Sequence, residues 1–194
     1  MELVREQIIP YQWNALNDQV EGAEKPFTIA LRIPDWCAGE YQLKGTEGAE
    51  TWIENGYLYV KKAWSESDFV ELDFLMKVRV YEADSRVRED AGKVAVMRGP
   101  IVYCLEKADN GKDLHLLSLD VNSEPEVAGV EIEGTVVKGI TLSGLRQEPV
   151  YIKGTSLYRV AQEVKRNPAL LRFIPYYTWA NRGENEMAVW VLRV

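Results

Sequence analysis

The stretch that most constrains this chain is Lys93 to Glu106, Lys-Val-Ala-Val-Met-Arg-Gly-Pro-Ile-Val-Tyr-Cys-Leu-Glu. Two apolar runs rich in β-branched residues are broken by Arg98-Gly99-Pro100. Valine, isoleucine and tyrosine suit a pleated, half-buried surface, whereas Gly-Pro interrupts any regular element. The stretch therefore reads as a strand, a sharp bend and a second strand, each buried on at least one face. It specifies architecture and, taken alone, no chemistry.

The same β signal continues over most of the chain. Phe27, Ile29, Leu31 and Ile33 alternate along one face until Pro34 stops the run. Thr51-Trp52-Ile53 and Tyr57-Leu58-Tyr59-Val60 flank Glu54-Asn55-Gly56, and Asn-Gly is a strong hairpin signal. Val70, Leu72, Phe74 and Met76 alternate with Glu71, Asp73 and Lys77, as in a strand with one wet face. Further strands are expected at 93–97, 101–106, 114–119, 129–137, 150–152, 157–160, 170–174 and 187–193. Residues 3–20 read differently. Val4, Ile8, Tyr11 and Ala15 recur at helical spacing, with Pro10 either kinking the helix or opening a second one. The expected fold is mainly β, one partial and one complete antiparallel β-sandwich with a short N-terminal helix. Its parts are a helical segment at 1–20, a polar linker at 21–26, a partial first sandwich at 27–91 and a C-terminal sandwich at 92–194.

Composition narrows the function classes. The formal net charge of −7 opposes nucleic acid and anionic membranes as partners, since both select basic surfaces. Lys165, Arg166 and Arg172 make only a small basic group, read as a solvated loop and strand edge. No apolar run approaches the roughly 20 residues needed to span a bilayer. The first residues lack the basic start and long apolar stretch of a signal peptide, so cytoplasmic residence is the expectation. Cys37 and Cys104 are too few for a disulfide framework and sit among apolar neighbours, as buried thiols do. With His115 as the lone histidine, they make no convincing zinc site.

No catalytic constellation stands out. Glu82, Asp84, Glu89 and Asp90 form the densest acidic cluster, in what reads as an exposed connecting loop. His115 has no nucleophile elbow beside it. Gly129, Gly134, Gly139 and Gly144 are spaced like turns, without the helix and lysine of a phosphate-binding loop. Aromatic residues offer a second route to function. Tyr176, Tyr177 and Trp179, followed by Asn181 and Arg182, make a candidate platform on which a sugar ring stacks. The same rings equally suit a core or an interface between copies.

Three motifs carry a family resemblance: FTIALRIPDW at 27–36, SRVREDAGKVAVMRGPIVYCLE at 85–106 and IPYYTWANRGENEMAV at 174–189. They resemble the C-terminal region of glycoside hydrolase family 127, the β-L-arabinofuranosidases and their relatives, over essentially all of 27–194. VREQIIPYQWNALNDQV at 4–20 resembles the extreme N-terminus of the same family. The resemblance implies that a large α/α barrel separates the two regions in the family. There it carries a cysteine nucleophile and a zinc held by cysteines and a glutamate. No position here matches those motifs, so neither Cys37 nor Cys104 inherits a catalytic role and no cofactor is expected in this chain. The resulting expectation is a non-catalytic accessory and dimerisation region, inactive alone, with a carbohydrate-binding module as the alternative. Without the leading strands, an apolar face and strand edge near Phe27 to Ile33 are expected to lie open. That predicts self-association through sandwich edges, or Tyr11, Trp13 and Leu16 folding back as cover.

Overall fold

The computed structural model describes residues 3–5, 15–20, 26–37, 39–65, 67–152, 154 and 157–194. The chain divides into two compact units, Met1–Lys77 and Val78–Val194.

The first unit contains two sheets. One is four-stranded, built from β1 (Leu3–Arg5), β2 (Ala15–Val20), β4 (Tyr41–Lys44) and β7 (Phe69–Phe74) in the order β1-β2-β7-β4. The other is three-stranded, from β3 (Pro26–Arg32), β5 (Glu50–Glu54) and β6 (Tyr57–Ala63) in the order β3-β6-β5. Alternation decides which side chains meet: Leu31 from β3, Leu58 and Val60 from β6, and Val70 and Leu72 from β7 share one buried cluster with Trp64. The Trp64 indole N–H, which burial would otherwise leave unsatisfied, donates to the carbonyl of Phe27 at 3.0 Å. The β5–β6 hairpin turns on Asn55 and Gly56, both at positive φ (50° and 76°). A two-residue turn of that kind matches the twist of the strands, which is why Asn-Gly marked it.

Two expectations are corrected here. Residues 3–5 and 15–20 are strands, not a helix; residues 6–14, including Tyr11 and Trp13, lie outside the described residues. β2 runs antiparallel to β7 with Leu16 opposite Leu72, so sheet pairing overrides the helical spacing. The apolar face of Phe27 to Ile33 is covered, because Val70 and Leu72 pack against it from the other sheet.

The second unit starts fourteen residues before the expected boundary at 91/92. β8 (Val78–Glu82) pairs with β9 (Lys93–Arg98), which commits it to the second unit's sheet. β9 and β10 (Ile101–Glu106) form a hairpin with Arg98 opposite Ile101. Gly99 has a φ of 56° and Pro100 has the negative φ of its ring, the φ pattern of a II′ turn. β10 continues into a single helical turn, α1 (Lys107–Asn110). The remaining strands are β11 (Leu117–Leu119), β12 (Glu126–Ile132), β13 (Thr135–Gln147), β14 (Arg166–Pro175), β15 (Met187–Ala188) and β16 (Val191–Arg193). Pairings β10-β14-β13-β11-β16-β9, together with β9–β10, bring the sheet back onto itself. Only β11–β16 is parallel among these pairings. Val96, Tyr103, Leu105, Leu119, Ile140, Leu171 and Phe173 fill the interior.

The strand expected at 129–137 is a hairpin, β12 and β13 joined at Glu133-Gly134, both at positive φ. Residues 150–152 and 157–160 are not strands where described; Tyr151, Leu157, Tyr158 and Val160 are exposed. Residues 114–116 are a 3-10 turn. Of the four turn-like glycines only Gly134 turns the chain. Gly129, Gly139 and Gly144 lie inside strands, and a Cβ on Gly144 would come within 2.2 Å of the Ser118 carbonyl oxygen. Close backbone approach explains that glycine. Among the described residues no helix is long and apolar enough to cross a membrane.

Candidate functional site

β10 carries the polar centre of the second unit. Its alternation points Tyr103 and Leu105 into the interior, and Cys104 packs on the opposite side with Ile132, Val137 and Ile174. Glu106 follows and is completely buried. A buried carboxylate persists only when paired and hydrogen-bonded. Here the Arg182 guanidinium meets it, with Nε donating to Oε2 at 3.0 Å and Nη2 closing the pair. The other face of the same guanidinium binds Asp109 on α1, Nη1 to Oδ1 at 2.9 Å and Nη2 to Oδ2 at 2.5 Å. Glu106 Oε1 accepts the Ala180 N–H at 3.0 Å, from a residue held at φ 66°. Asp109 and Glu106 together hold the arginine's pKa above its ordinary value, Asp109 contributing most.

Neighbouring polar groups lock the corner. The Asn110 side chain donates to the Glu106 and Arg172 carbonyls and accepts the Arg172 N–H at 2.8 Å, so it pairs with β14 as backbone would. The Glu186 carboxylate accepts the N–H groups of Asp113 and Leu114 at 2.9 and 2.8 Å. Arg146 donates to the carbonyls of Lys112 and Asn110. One guanidinium bridges two carboxylates, and both Glu106 oxygens are hydrogen-bonded. Such a group positions chain segments.

The four aromatic-platform candidates divide. Tyr176 and Tyr177 sit on a 3-10 turn and are 43% and 48% exposed. Trp179 is half-buried against the cluster around Cys104 and Ile174, and Arg182 serves Glu106 and Asp109. Sequence reasoning singled out Arg182 but missed its partners. Glu106 ends a strand whose near-continuous apolar run signals burial on both faces, which was the available clue. Nothing local tied it to a residue 76 positions away.

The remaining candidates have ordinary structural roles. Cys37 is buried and its thiol donates to the Pro34 carbonyl at 3.0 Å. Cys104 is buried as well, and burial with Glu106 nearby pushes its thiol pKa up to about 12. His115 is exposed. Asp84 binds Arg86, Glu82 binds Arg193, and Lys165 binds Glu148. Among the described residues no three His, Cys, Asp or Glu side chains converge as metal ligands would.

Both units are mainly antiparallel β, consistent with a β-sandwich-like fold, and likeness to known proteins specifies the family. The beta-L-arabinofuranosidase GH127 middle domain matches residues 3–76, and the glycoside hydrolase family 127 C-terminal domain matches 78–192. The chain belongs to glycoside hydrolase family 127. It is 38% identical over 169 residues to a non-reducing end beta-L-arabinofuranosidase of Bifidobacterium longum, covering 85% of this chain and 26% of that protein. The crystal structure of a GH127 beta-L-arabinofuranosidase from Geobacillus stearothermophilus T6 superposes with a TM-score of 0.81 at 36% identity, over 99% of this chain and 30% of that one. Another GH127 beta-arabinofuranosidase gives 0.77 at 30% identity, over 99% and 32%. The chain thus spans between a quarter and a third of the length of these relatives.

Proposed function

We propose that this chain is a non-catalytic β-sandwich accessory region of a family 127 glycoside hydrolase, the parent activity being hydrolysis of β-L-arabinofuranosides. One observation carries the reading. A thiol nucleophile must be ionised to act, and Cys104 is buried with its pKa pushed to about 12. Cys37 is equally buried and hydrogen-bonded to a carbonyl. Glu106 and Asp109 are both held by Arg182, and Glu106 has no exposed surface with which to meet a substrate. The purified chain is expected to leave an aryl β-L-arabinofuranoside unhydrolysed. Turnover that a thiol-alkylating reagent abolishes would sink the proposal.

Cytoplasmic residence and self-association belong to the same reading. β3 ends its sheet, paired only with β6 among the described residues. An antiparallel contact between two copies centred on Ile29 sets Thr28 opposite Ala30 and Arg32 opposite Pro26, with no like charges facing. Such an edge favours addition of a strand. Sedimentation is expected to show a dimer that Ala30→Pro disperses, since the Ala30 N–H faces the open edge and proline there blocks pairing. A monomer at every concentration would remove the edge contact and leave the non-catalytic reading intact.

A further inference from the structure

The outer face of the three-stranded sheet carries a row of rings that the catalytic question never touches. Leu58 and Val60 of β6 point into the core, so Tyr57, Tyr59 and Lys61 point out. Strand register adds Glu50, Trp52 and Glu54 from β5, and Thr28, Ala30 and Arg32 from β3. Trp52 lies directly opposite Tyr59, and their rings stack at 5.0 Å between centroids with planes 6° apart. Tyr57 follows at 6.4 Å from Tyr59, with the Arg32 guanidinium 5.8 Å over its ring. Tyr57 and Tyr59 are therefore engaged by neighbours within the row.

Trp52 is different. It stands on β5, the last strand of the sheet order, and one indole face meets Tyr59. Among the described residues no ring or cation is placed against the other. Trp52 is 36% exposed and every residue of β5 is exposed. Two positions away on either side, on the same sheet face, stand the carboxylates of Glu50, 3.7 Å from the Lys61 ammonium on β6, and Glu54. The indole face thus sits between two hydrogen-bond acceptors at the open margin of a rigid sheet.

We propose that this margin binds a neutral saccharide, one ring stacking its C–H face on Trp52 and donating hydroxyl hydrogen bonds to Glu50 and Glu54. Charge chooses this occupant over a second copy of the chain. Antiparallel pairing of two β5 strands about Trp52 would set Glu50 against Glu54 of the copy at both ends, and like charges directly opposite destabilise a strand pair. An anionic ligand meets repulsion from the Glu54 carboxylate and, at Glu50, from a carboxylate only partly offset by the exposed Lys61. A polyhydroxylated, uncharged ring meets none, and its apolar face matches the indole. The site follows from the geometry; the choice of an arabinose-containing probe rests on the accessory-region reading above.

The test is calorimetric titration of the 194-residue chain with an L-arabinofuranosyl oligosaccharide. One stacked ring with a few hydrogen bonds predicts saturation near about 0.1–1 mM. Trp52→Ala is expected to remove binding, Trp52→Tyr to retain it, and the pair Glu50→Gln with Glu54→Gln to weaken it about three- to tenfold. Tyr176→Ala with Tyr177→Ala is expected to leave it unchanged. Wild-type affinity in Trp52→Ala, or no saturation by the parent chain, would overturn the site. Should Trp52→Ala fail to fold, unaltered binding in the glutamine pair overturns it instead. A dimer that Trp52→Ala turns monomeric would also overturn it, by showing the edge to be a contact between copies. Hydrolysis of the probe would defeat the non-catalytic reading while leaving the stacking site standing, so the two failures are distinguishable.

Discussion

The two units handle polar groups in opposite ways. In the first, the cluster between the sheets is apolar apart from Cys37 and the Trp64 indole, whose N–H finds a carbonyl. Its Trp52–Tyr59 and Tyr57–Tyr59 pairs and most of its ion pairs lie outside, while Phe27–Trp64 and Trp36–Phe74 belong to the cluster. In the second, Glu106, Ser118 and Thr178 are buried, the only polar residues so placed among the described residues. The difference separates two sources of specificity. An apolar interior is defined strand by strand through alternation. A buried carboxylate is defined by whichever distant residue reaches it, and the fold there depends on that residue arriving.

The largest expected effect follows from removing it. Arg182→Ala leaves the Glu106 carboxylate buried without its cation and should cost the second unit about 3–5 kcal/mol. Hydrogen exchange resolved by segment should show faster exchange over 78–194 and none over 26–77; equal acceleration in both units would break the comparison.

Leu72→Ala is the counterpart in the first unit. Leu72 is fully buried, and truncation should cost about 2–5 kcal/mol, confined to that unit's strands. Urea unfolding read from the two halves separately would register it. A smaller loss is expected from Gly144→Ala, whose Cβ would meet the Ser118 carbonyl oxygen at 2.2 Å and the Leu171 side chain at 2.7 Å. Forcing the strands apart should cost about 1–3 kcal/mol in the second unit's unfolding curve. A neutral result there would mean the β11–β13 contact yields more easily than the interior it borders.

The smallest effect concerns pH. Lys62, 2.8 Å away, and the Ser65 N–H hold the Asp68 carboxyl below its ordinary pKa in the folded first unit. A depressed folded pKa adds stability above the unfolded value, about pH 4, and that increment disappears as pH falls through the folded value. Asp68→Asn should therefore lower the first unit's midpoint modestly at neutral pH and converge with the parent chain on acidification. Convergence on raising the pH instead would contradict the sign.

Much of the β architecture was legible in the chain. Asn55-Gly56 and Arg98-Gly99-Pro100 fixed their hairpins because few residues tolerate the φ values those turns need. Alternation in 27–33 and 70–74 named the inner faces correctly, since side-chain direction in a strand has period two, while the strand expected to reach Met76 ends at Phe74. At 3–5 and 15–20 the expected helix gives way to strands for a physical reason. Spacing of three and four residues is only a weak preference, and β7 offered β2 a ladder of hydrogen bonds that local periodicity could not anticipate. Glu133-Gly134 hid inside an apolar run, so one expected strand became two.

The family motifs and the short reach of the hairpins came from sequence alone, because both depend on residues adjacent in the chain. The tertiary structure decided which residues serve as partners. Arg182 left the aromatic platform for Glu106, and Trp179 turned toward the cluster beside Cys104. Trp52, which reads as an ordinary strand residue, gained an open indole face. Those outcomes depend on strand register and sheet order, and both are set by packing between segments far apart in sequence.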